Sequence, residues 1–526
     1  MIIKSDYPPV QIPSSSFPET VLNAVKKHIS NNKTAFICAE SNEETTYETV
    51  HQSAYALGTF LNERGFHKDM ACVVLPNRWE WAAIFLGVTL NGGVLTAISA
   101  VSTECKEKFY ELNRQFVDSE AKLVLTNPES LQKVQKAAQS SPFVKIIICL
   151  GDIPPTISGE VYTWNDVLTT QANWALHPPT VDVDRDSVFM PYSSGTTGIP
   201  KEKRMTGALS PPWNNDKDMK LLFLPFYHCY GFALLMASVL NGGVAVLMSH
   251  FQPELFCETI QRHKIRFVAV VPPIMVFLSK SPICERYNLS SVQFLFSGAA
   301  PAGKDLCEEL TRKYKNLRLI QQGYGMSELC MASHLPDLVE GQPFGSVGKL
   351  SSNLEMKIVD PETGVGRKFG EVGEICIRGP TVMLGYLKKP DATRQCIRDG
   401  WMHTGDMGYV RNDGYLFIVD RLKELIKVKG FQVPPAELEN ILLCHPMIHD
   451  AAVVGIQDAE RGEIPKAYVV RSSNELTESE VKSFVNDKVS PYKQLSGGVE
   501  FVKEIPKSPS GKILRRVLRE RSQSKL

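Results

Sequence analysis

The sequence has almost no excess of charge of either sign. It contains 58 lysines and arginines against 57 aspartates and glutamates, which leaves a net charge of +1 over 526 residues. A general nucleic-acid-binding protein needs a basic surface for phosphates, so the composition argues against that class and against a nucleic-acid partner. With 43% hydrophobic and 22% charged residues, the chain also lacks the bias of disordered, collagen-like or disulfide-rich proteins. Its length predicts about two to four structural units.

The cysteines show no paired spacing. None of the twelve lies within four residues of another, which speaks against a zinc ribbon or a thioredoxin-like CxxC motif. We expect reduced, mostly buried thiols in a reducing compartment. His445 and His449 are four residues apart, but Pro446 lies between them, so we expect a surface pair rather than a metal site.

No segment is apolar enough for a signal peptide or a membrane span. The longest apolar stretch, residues 81–101, is interrupted by Asn91-Gly92-Gly93 and predicts a helix, a turn and a buried strand. The chain ends in Ser524-Lys525-Leu526. In that terminal position the tripeptide is typical of a peroxisomal address. We therefore expect localisation in the peroxisome and a peroxisomal import receptor as a partner.

Short β-rich runs alternate with helical patterns, which predicts an α/β fold with largely parallel sheets. Residues 86–94 and 237–244 repeat one pattern, in which an apolar helix ends at Asn-Gly-Gly and an apolar run follows. Asparagine and glycine tolerate the left-handed conformation that ends a helix. We therefore predict a large N-terminal domain with two similar α/β subdomains.

The pattern changes after about residue 345. β segments separated by turns follow, and they predict a β-rich subdomain. The last hundred residues contain a helix at 435–443, strands at 451–455 and 466–470, a helix at 478–489 and a basic tail. This segment predicts a separate, small α+β domain at the C-terminus.

The strongest motif is a run of small hydroxyl residues and glycines that ends in a lysine. It spans residues 192–201 and follows the apolar run 187–190. Such residues let backbone N–H groups approach phosphate oxygens, and the lysine adds positive charge. The spacing differs from that of a P-loop, which disfavours a Walker-type NTPase. The predicted phosphate-binding residues are Ser193, Ser194, Gly195, Thr196, Thr197, Gly198 and Lys201.

This loop resembles the phosphate-binding signature of the adenylate-forming superfamily, which includes acyl-CoA synthetases, 4-coumarate–CoA ligases and beetle luciferases. Six further segments resemble motifs of that family, in the same order along nearly the whole chain. They are the aromatic segment 224–228, the adenine-flanking turn 297–301, the nucleotide-binding motif 322–328, the ribose-binding segment 401–406, the hinge region 420–432 and the catalytic-lysine loop 506–512. Seven ordered matches are far more specific than any one of them.

The resemblance implies an adenylation domain at 1–420, a hinge at 421–425 and a mobile catalytic-lysine domain at 426–526. Lys512 would bridge a carboxylate and the α-phosphate of ATP, two anions whose repulsion a positive group offsets. Asp406 would accept hydrogen bonds from both ribose hydroxyls, with Arg421 as a second contact. The resemblance also implies Glu328 as the Mg²⁺ ligand. The remaining implied ATP or AMP contacts are Ala300, Gln322, Gly323, Tyr324 and Ser327.

The resemblance further implies that the small domain rotates about Lys423 between two half-reactions. The face presented in the second step would carry Lys427 and Gln432 as adenylate-site residues. Lys429 and Gly430 would contact CoA. His228 is a candidate for contact with the acid, and the apolar and aromatic acid site would include Phe226, Tyr227, Tyr230 and Met326.

The function implied is an acyl-CoA ligase. A fatty or arylalkanoic acid reacts with ATP, Mg²⁺ being the cofactor, to give an acyl-adenylate, and CoA then takes the acyl group. A luciferase-like oxygenase, an adenylation domain for a carrier protein and a nucleotide-binding pseudo-enzyme are alternatives. The last is favoured by residues 202–212, which depart from the family. Pro211 and Pro212 would break the helix that the family has next, so a helix beside the nucleotide site is predicted to be missing or rebuilt.

Overall fold

The computed structural model describes residues 1–12, 15–100, 107–157, 159–179, 182, 185–191, 218–337, 341–429, 431–458, 460–508 and 511–523. The predicted phosphate-binding loop, the departing segment 202–212, Gly430 and the terminal tripeptide 524–526 lie outside these residues. The predicted α/β fold is confirmed, with a large N-terminal part and a small C-terminal one.

Two parallel sheets form the centre of the large part. The first has six parallel strands, in the spatial order Tyr162–Thr163, Ile146–Cys149, Ala121–Thr126, Met70–Val74, Val94–Ala97 and Phe189–Pro191. The second has six parallel strands and one antiparallel edge strand, in the order Leu319–Gln322, Phe294–Ser297, Phe267–Val270, Lys220–Leu222, Ala245–Leu247, Thr34–Cys38 and Glu44–Thr46.

Helices pack between and outside these sheets. Helices Tyr47–Glu63, Glu80–Leu90 and Cys229–Leu240 contribute to one hydrophobic core that also includes strands of both sheets. The other α-helices of this part are Phe17–His28, Glu107–Ser119, Pro128–Gln139, Trp164–Leu168, Pro253–His263, Pro272–Lys280, Lys304–Lys313 and Pro390–Cys396. Short 3₁₀ helices are Ser30–Asn32, Pro282–Arg286 and Ser327–Leu329. Among the described residues, no helix combines the length and the apolar character needed to cross a membrane.

The two copies of the Asn-Gly-Gly pattern have the same structure. Asn91 and Asn241 are the C-cap residues of helices Glu80–Leu90 and Cys229–Leu240. Gly92 and Gly242 follow with φ of 70° and 66°, a conformation that glycine adopts at little cost. Each copy leads into a strand of its own sheet, so the prediction of two similar α/β subdomains is confirmed.

A β-rich unit follows the second sheet, as predicted. Its antiparallel sheet has the order Ile3–Lys4, Glu355–Val359, Gly373–Arg378, Trp401–Val410 and Ile397–Arg398, with Leu416–Arg421 paired to Trp401–Val410. A two-stranded sheet joins His334–Leu335 to Lys349–Leu350.

The C-terminal unit has a separate sheet and a separate core. Its strands are Phe431–Val433, Ile426–Val428, Gly462–Arg471 and Ile448–Asp458, and Val499–Phe501 pairs in parallel with Gly462–Arg471. Its helices are Pro435–Leu443, Glu478–Asn486, Arg515–Gln523 and the 3₁₀ helix Pro491–Lys493. Strand Leu416–Arg421 belongs to the preceding sheet and Ile426–Val428 to this one. The domain limits at 420 and 426 remain a prediction.

Candidate active site

Asp406 lies near the centre of the candidate site. It belongs to strand Trp401–Val410 and is only 4% exposed. The hydroxyl of Tyr324 donates to its Oδ2 at 2.6 Å, and Nε of Arg421 lies 3.3 Å from its Oδ1. Tyr324 and Arg421, which come from separate segments of the chain, therefore both contact the Asp406 carboxylate.

The electrostatics of Asp406 reflect competing effects. Burial raises the pKa of Asp406, while Arg421 and the Tyr324 hydroxyl oppose that increase. Burial and the nearby carboxylate raise the pKa of Tyr324 well above its ordinary value. Tyr324 therefore stays a neutral hydrogen-bond donor, and Asp406 keeps acceptor capacity for a ligand hydroxyl.

The buried Glu374 and the half-buried His403 support the turn before Asp406. Oε1 of Glu374 accepts a hydrogen bond from the backbone N–H of Gly405 at 3.2 Å, and Oε2 lies 2.8 Å from Nδ1 of His403. Cys376 lies beside them, with its sulfur 3.4 Å from the same nitrogen. Such side chains can hold a metal, but their short contacts are hydrogen bonds. The cluster therefore fixes the turn that presents Asp406.

The motif 322–328 forms a tight turn after strand Leu319–Gln322. The backbone of Tyr324 exchanges hydrogen bonds with His334 at 3.0 and 3.2 Å. A Cβ at Gly325 would overlap the carbonyl of Met331, so this position requires glycine. Met326 packs against the core of the β-rich unit. This turn places Ser327 and Glu328 next to Tyr324.

Glu328 is a buried carboxylate with only 5% of its surface exposed. Its Oε1 accepts a hydrogen bond from the hydroxyl of Tyr386 at 3.1 Å. Sequence reasoning missed Tyr386, because a tyrosine far along the chain carries no signal of its own. A single buried carboxylate fits Mg²⁺, which in nucleotide sites takes one or two carboxylates and completes its shell with phosphates and water.

Gln322 fixes the predicted adenine-flanking turn. Its side-chain amide accepts from the backbone N–H of Ala302 at 2.8 Å and donates to the Ala302 carbonyl at 3.1 Å. Ala299 in this turn has a φ of 70°, which places Ala300 after a left-handed residue. Gly323 approaches the ring of Phe296, which a Cβ would meet at 3.1 Å. Gln322 therefore fixes the backbone of this turn through hydrogen bonds, and Gly323 allows the close approach of Phe296.

His228 is the N-cap residue of helix Cys229–Leu240. Its Nδ1 accepts a hydrogen bond from the backbone N–H of Tyr230 at 3.2 Å. Nε2 is therefore the ring nitrogen of His228 that can contact another group. The sulfur of Cys229 lies 3.8 Å from the Ser327 hydroxyl, which joins this helix start to the 322–328 turn. Burial raises the pKa of the Cys229 thiol, but His228, Ser327 and Lys512 together lower it more.

The predicted acid-site aromatics have different surroundings. Phe226 lies inside the hydrophobic core, where it packs edge-on against Trp81. Tyr230 is also buried, and its hydroxyl donates to the Phe296 carbonyl at 3.0 Å. Tyr227 is half-buried. Phe226 therefore supports the segment, whereas Tyr227 and Tyr230 lie nearer the His228 helix start and the 297–301 turn.

The C-terminal unit contributes Lys512 to the same place. The loop before it closes through the Ser508 hydroxyl, which accepts from the Lys512 backbone N–H at 3.2 Å, and Gly511 has a φ of 83°. Burial and the positive charge of Arg421 lower the pKa of Lys512, whereas Cys229, Asp406 and Glu328 act in the opposite direction. Charged and polar groups of the large unit thus act electrostatically on the Lys512 ammonium.

The other predicted C-terminal residues lie elsewhere. Lys427 and Gln432 pair across strands Ile426–Val428 and Phe431–Val433, and their side chains are exposed. Lys429, with a φ of 47°, and Lys423 are also exposed. The structure therefore gathers Lys512, Asp406, Arg421, Tyr324, Ser327, Glu328 and His228, and it leaves the hairpin residues on the surface.

Comparisons with known proteins identify the family of the chain. The family described as AMP-binding enzyme matches residues 24–387, and the family described as AMP-binding enzyme C-terminal domain matches residues 437–512. The chain is 40% identical over 512 residues to 4-coumarate:CoA ligase 1 of Petunia hybrida, with 93% of this chain and 91% of that protein covered. It is 35% identical to a probable 4-coumarate–CoA ligase 1 of Dictyostelium discoideum, with 99% and 98% covered.

Solved structures show the same fold. The anthranilate CoA ligase AuaEII in complex with anthranoyl-AMP gives a TM-score of 0.84 at 22% identity, with 99% of both chains covered. ATP-bound MatB from Rhodopseudomonas palustris gives a TM-score of 0.81 at 24% identity, with 97% of this chain and 99% of that chain covered. With the family match over most of its length, the chain belongs to the AMP-binding enzymes, the adenylate-forming superfamily that its motifs resemble.

Proposed function

We propose that this protein is an AMP-forming acid–CoA ligase. The observation that carries the proposal is the contact of the Lys512 loop with the large unit, where a Cβ at Gly511 would lie 3.3 Å from Val271; the charges of Asp406, Arg421 and Glu328 act on Lys512 there. A cation in this position can stabilise the charge that develops when a carboxylate attacks the α-phosphate of ATP. The similarity to proteins named 4-coumarate–CoA ligases supports the same activity.

The reaction divides into two steps. In the first, an oxygen of the carboxylate forms a bond to the α-phosphorus, and the bond from that phosphorus to the bridging oxygen of pyrophosphate breaks. In the second, the sulfur of CoA attacks the acyl carbon after losing its proton, and AMP leaves. Asp406 would hold the ribose through its free acceptor capacity, while Tyr324 and Arg421 keep the carboxylate oriented.

Glu328 would hold Mg²⁺, which would neutralise phosphate charge when bound. Neighbouring residues of the protein keep the Glu328 carboxylate in place. The Tyr386 hydroxyl orients Oε1 of Glu328, and the turn after Tyr324 fixes its backbone. His228 would present Nε2 towards the acid, because its Nδ1 already caps the helix.

The acid is proposed to be a fatty or arylalkanoic acid. The family resemblance assigns Tyr227, Tyr230 and Met326 to the acid site, where they would supply apolar and aromatic surface. The relatives are named for an aromatic acid. Release of pyrophosphate should be measured over a panel of coumarate-like and fatty acids, with and without CoA. Acid-dependent release that yields a thioester only with CoA supports the proposal, and release without any acid requirement opposes it.

Lys512→Ala tests the role of the central residue. We expect it to abolish adenylate formation while thioester formation from supplied acyl-adenylate is largely retained, because Lys512 serves only the first step. The half-reactions are measured separately in single-turnover experiments. Equal loss in both would contradict the assignment of Lys512.

A nucleotide-binding pseudo-enzyme is the second candidate function. It is favoured by segment 202–212, in which Pro211 and Pro212 stand where the family leads us to expect the approach to a helix. ATP binding without pyrophosphate release for any acid in the panel would favour this candidate. Turnover with any acid would remove it.

We also propose that the terminal Ser524-Lys525-Leu526 directs the protein to peroxisomes through an import receptor. A fluorophore fused to the N-terminus should become punctate in cells and should coincide with a peroxisomal marker. Deletion of the three residues should leave the fusion diffuse, with unchanged activity in vitro. A diffuse full-length fusion would contradict the proposal.

A further inference from the structure

Lys280 crosses from the large unit to the C-terminal unit. It is the last residue of helix Pro272–Lys280. Its ammonium nitrogen lies 2.6 Å from the carbonyl oxygen of Leu443, 2.8 Å from that of Ile448 and 3.4 Å from that of His445. An ammonium group has three donors, and here three carbonyls of the other unit surround it.

These carbonyls lie at and just beyond the end of helix Pro435–Leu443. The last carbonyls of a helix have no partner within the helix, and the helix dipole places negative charge there. Helix Pro435–Leu443 has no basic residue in its own last turn. Lys280 therefore supplies from the large unit the cation that this helix end lacks.

The opposite end of the same helix also bonds to the preceding sheet. Oδ2 of the buried Asp420, in strand Leu416–Arg421, accepts a hydrogen bond from the backbone N–H of Ala436 at 2.9 Å. A negative group at the N-terminus and a positive group at the C-terminus both match the helix dipole. Helix Pro435–Leu443 is thus held at both ends by hydrogen bonds to side chains outside its own unit.

Two more contacts surround this junction. The Cys444 thiol donates to Oδ2 of Asp305 at 3.2 Å. A Cβ at Gly303 would come within 2.9 Å of the Asn440 side chain, so the two units approach closely here.

At the other end of helix Pro272–Lys280, Val271 lies near the loop of Lys512, where a Cβ at Gly511 would be 3.3 Å away. One helix therefore contacts the C-terminal unit at both of its ends.

We infer that Lys280 is a positioning residue that latches the C-terminal unit in the orientation that places Lys512 in the site. This inference rests on the proposed function, because the orientation matters only if Lys512 serves one of two steps. Rotation of the unit would break all three bonds of Lys280 at once. Lys280 therefore favours adenylate formation over the thioester step by holding one orientation.

The first test measures the orientation without activity. Asp305→Cys places a second thiol opposite the exposed Cys444, and oxidised glutathione accepts the two electrons when the disulfide forms. In this background, Lys280→Met should slow formation of the 305–444 disulfide about tenfold, because hydrogen bonds of a charged donor are lost. Peptide mass spectrometry identifies the linkage, and Cys444→Ser in the same background shows that no other cysteine substitutes.

Lys313→Met is the matched control. The Lys313 ammonium also donates to a carbonyl, that of Ser279 at 2.7 Å, but within the large unit. Lys313→Met should therefore leave the rate of 305–444 disulfide formation unchanged. If Lys280→Met does not slow the disulfide, or if Lys313→Met slows it equally, the latch is wrong. Should Lys280→Met fail to fold, Lys280→Gln, which removes the charge, takes its place under the same criterion.

The second test measures the two half-reactions with Asp305 intact. Lys280→Met should lower the rate of adenylate formation about tenfold and leave thioester formation from supplied acyl-adenylate at or above its original rate. Lys280→Arg, which keeps the charge and the donors, should restore most of the adenylation rate. Equal loss in both steps would overturn the latch. Absence of ligase activity in the unsubstituted chain would overturn the proposed function instead. The disulfide rates would still show whether Lys280 holds the C-terminal unit in place.

Discussion

At the scale of single residues, Asp406 shows how a buried charge is kept available for a ligand. We expect Tyr324→Phe to raise the KM for ATP roughly tenfold or more, because a hydrogen bond to a charged group contributes about 1.5–3 kcal/mol. The ring and its packing remain, so the change removes the hydroxyl that donates to Asp406. Steady-state kinetics with varied ATP measures this effect.

Tyr468→Phe is the control for Tyr324→Phe. The Tyr468 hydroxyl is buried and donates to the Leu518 carbonyl at 3.0 Å, inside the C-terminal unit. Its loss should lower the melting temperature without changing the KM for ATP. If both variants raise this KM equally, Tyr324 acts through general stability and not through Asp406.

Lys512 predicts a pH dependence of stability. Burial and Arg421 lower its pKa in the folded protein, so the unfolded chain binds a proton that the folded chain has lost. The contribution of Lys512 to the free energy of unfolding should therefore rise with pH from the folded pKa up to the unfolded one. Labelling of Lys512 with an amine reagent across pH should show a lower midpoint in native protein than in urea. Equal midpoints would contradict the lowered pKa.

At the scale of helices and strands, the local sequence pattern predicted which elements form, but it located their ends less accurately. The helix predicted within the apolar stretch 81–101 begins just before it, at Glu80; ahead of this helix, Asn77 bonds to the Leu224 carbonyl and Arg78 pairs with Glu80. The strands predicted at 451–455 and 466–470 extend to Ile448–Asp458 and Gly462–Arg471. Their polar ends pair with each other in a long hairpin, and an apolar pattern does not reveal such pairing.

Site residues within ordered motifs could be predicted, and their supporting partners could not. Asp406, Arg421 and Glu328 stand in motifs with a characteristic local sequence. Tyr386, Glu374 and Lys280 are ordinary residue types whose partners lie far away in the chain, from 29 residues for the pair of Glu374 and His403 to 168 for that of Lys280 and Ile448. Their roles depend on tertiary contacts, which no local pattern encodes.

The 322–328 turn gives a prediction at the scale of one element. Gly325→Ala should destabilise the protein by about 1–3 kcal/mol, because a Cβ would overlap the Met331 carbonyl and the backbone must shift. The same shift should move Glu328 and lower the adenylation rate, since misplacement by about 1 Å can cost on the order of a hundredfold. Urea unfolding and pyrophosphate release measure the two effects.

Gly366→Ala is the control at a comparable backbone position. The nearest atom to its added Cβ is the backbone nitrogen of Met1, at 3.0 Å, and Met1 is exposed, so it has room to shift. It should change stability by less than about 0.5 kcal/mol. An equally stable Gly325→Ala variant would show that the turn tolerates the extra carbon.

At the scale of the whole molecule, the proposed two-step reaction would use two orientations of the C-terminal unit, of which the structure shows one. Lys512 lies among residues of the large unit, whereas Lys427, Lys429 and Gln432 are exposed on the hairpin of the same C-terminal unit. Both faces belong to a unit with one sheet and its own core. If the hairpin is the second face, as we propose, presenting it would require the unit to move as a rigid body, with the segment near Lys423 as the proposed hinge.

A covalent lock tests this requirement directly. In Asp305→Cys, the oxidised 305–444 disulfide should fix the orientation in which Cys444 lies against residue 305 and Lys512 lies in the site. We expect the oxidised protein to form and retain acyl-adenylate while conversion to the thioester stops. Reduction with dithiothreitol should restore the second step, and Cys444→Ser in the same background should be insensitive to oxidation. If the locked protein turns over CoA at the rate of the reduced one, both steps use a single orientation, and the exposed hairpin residues have no part in the reaction.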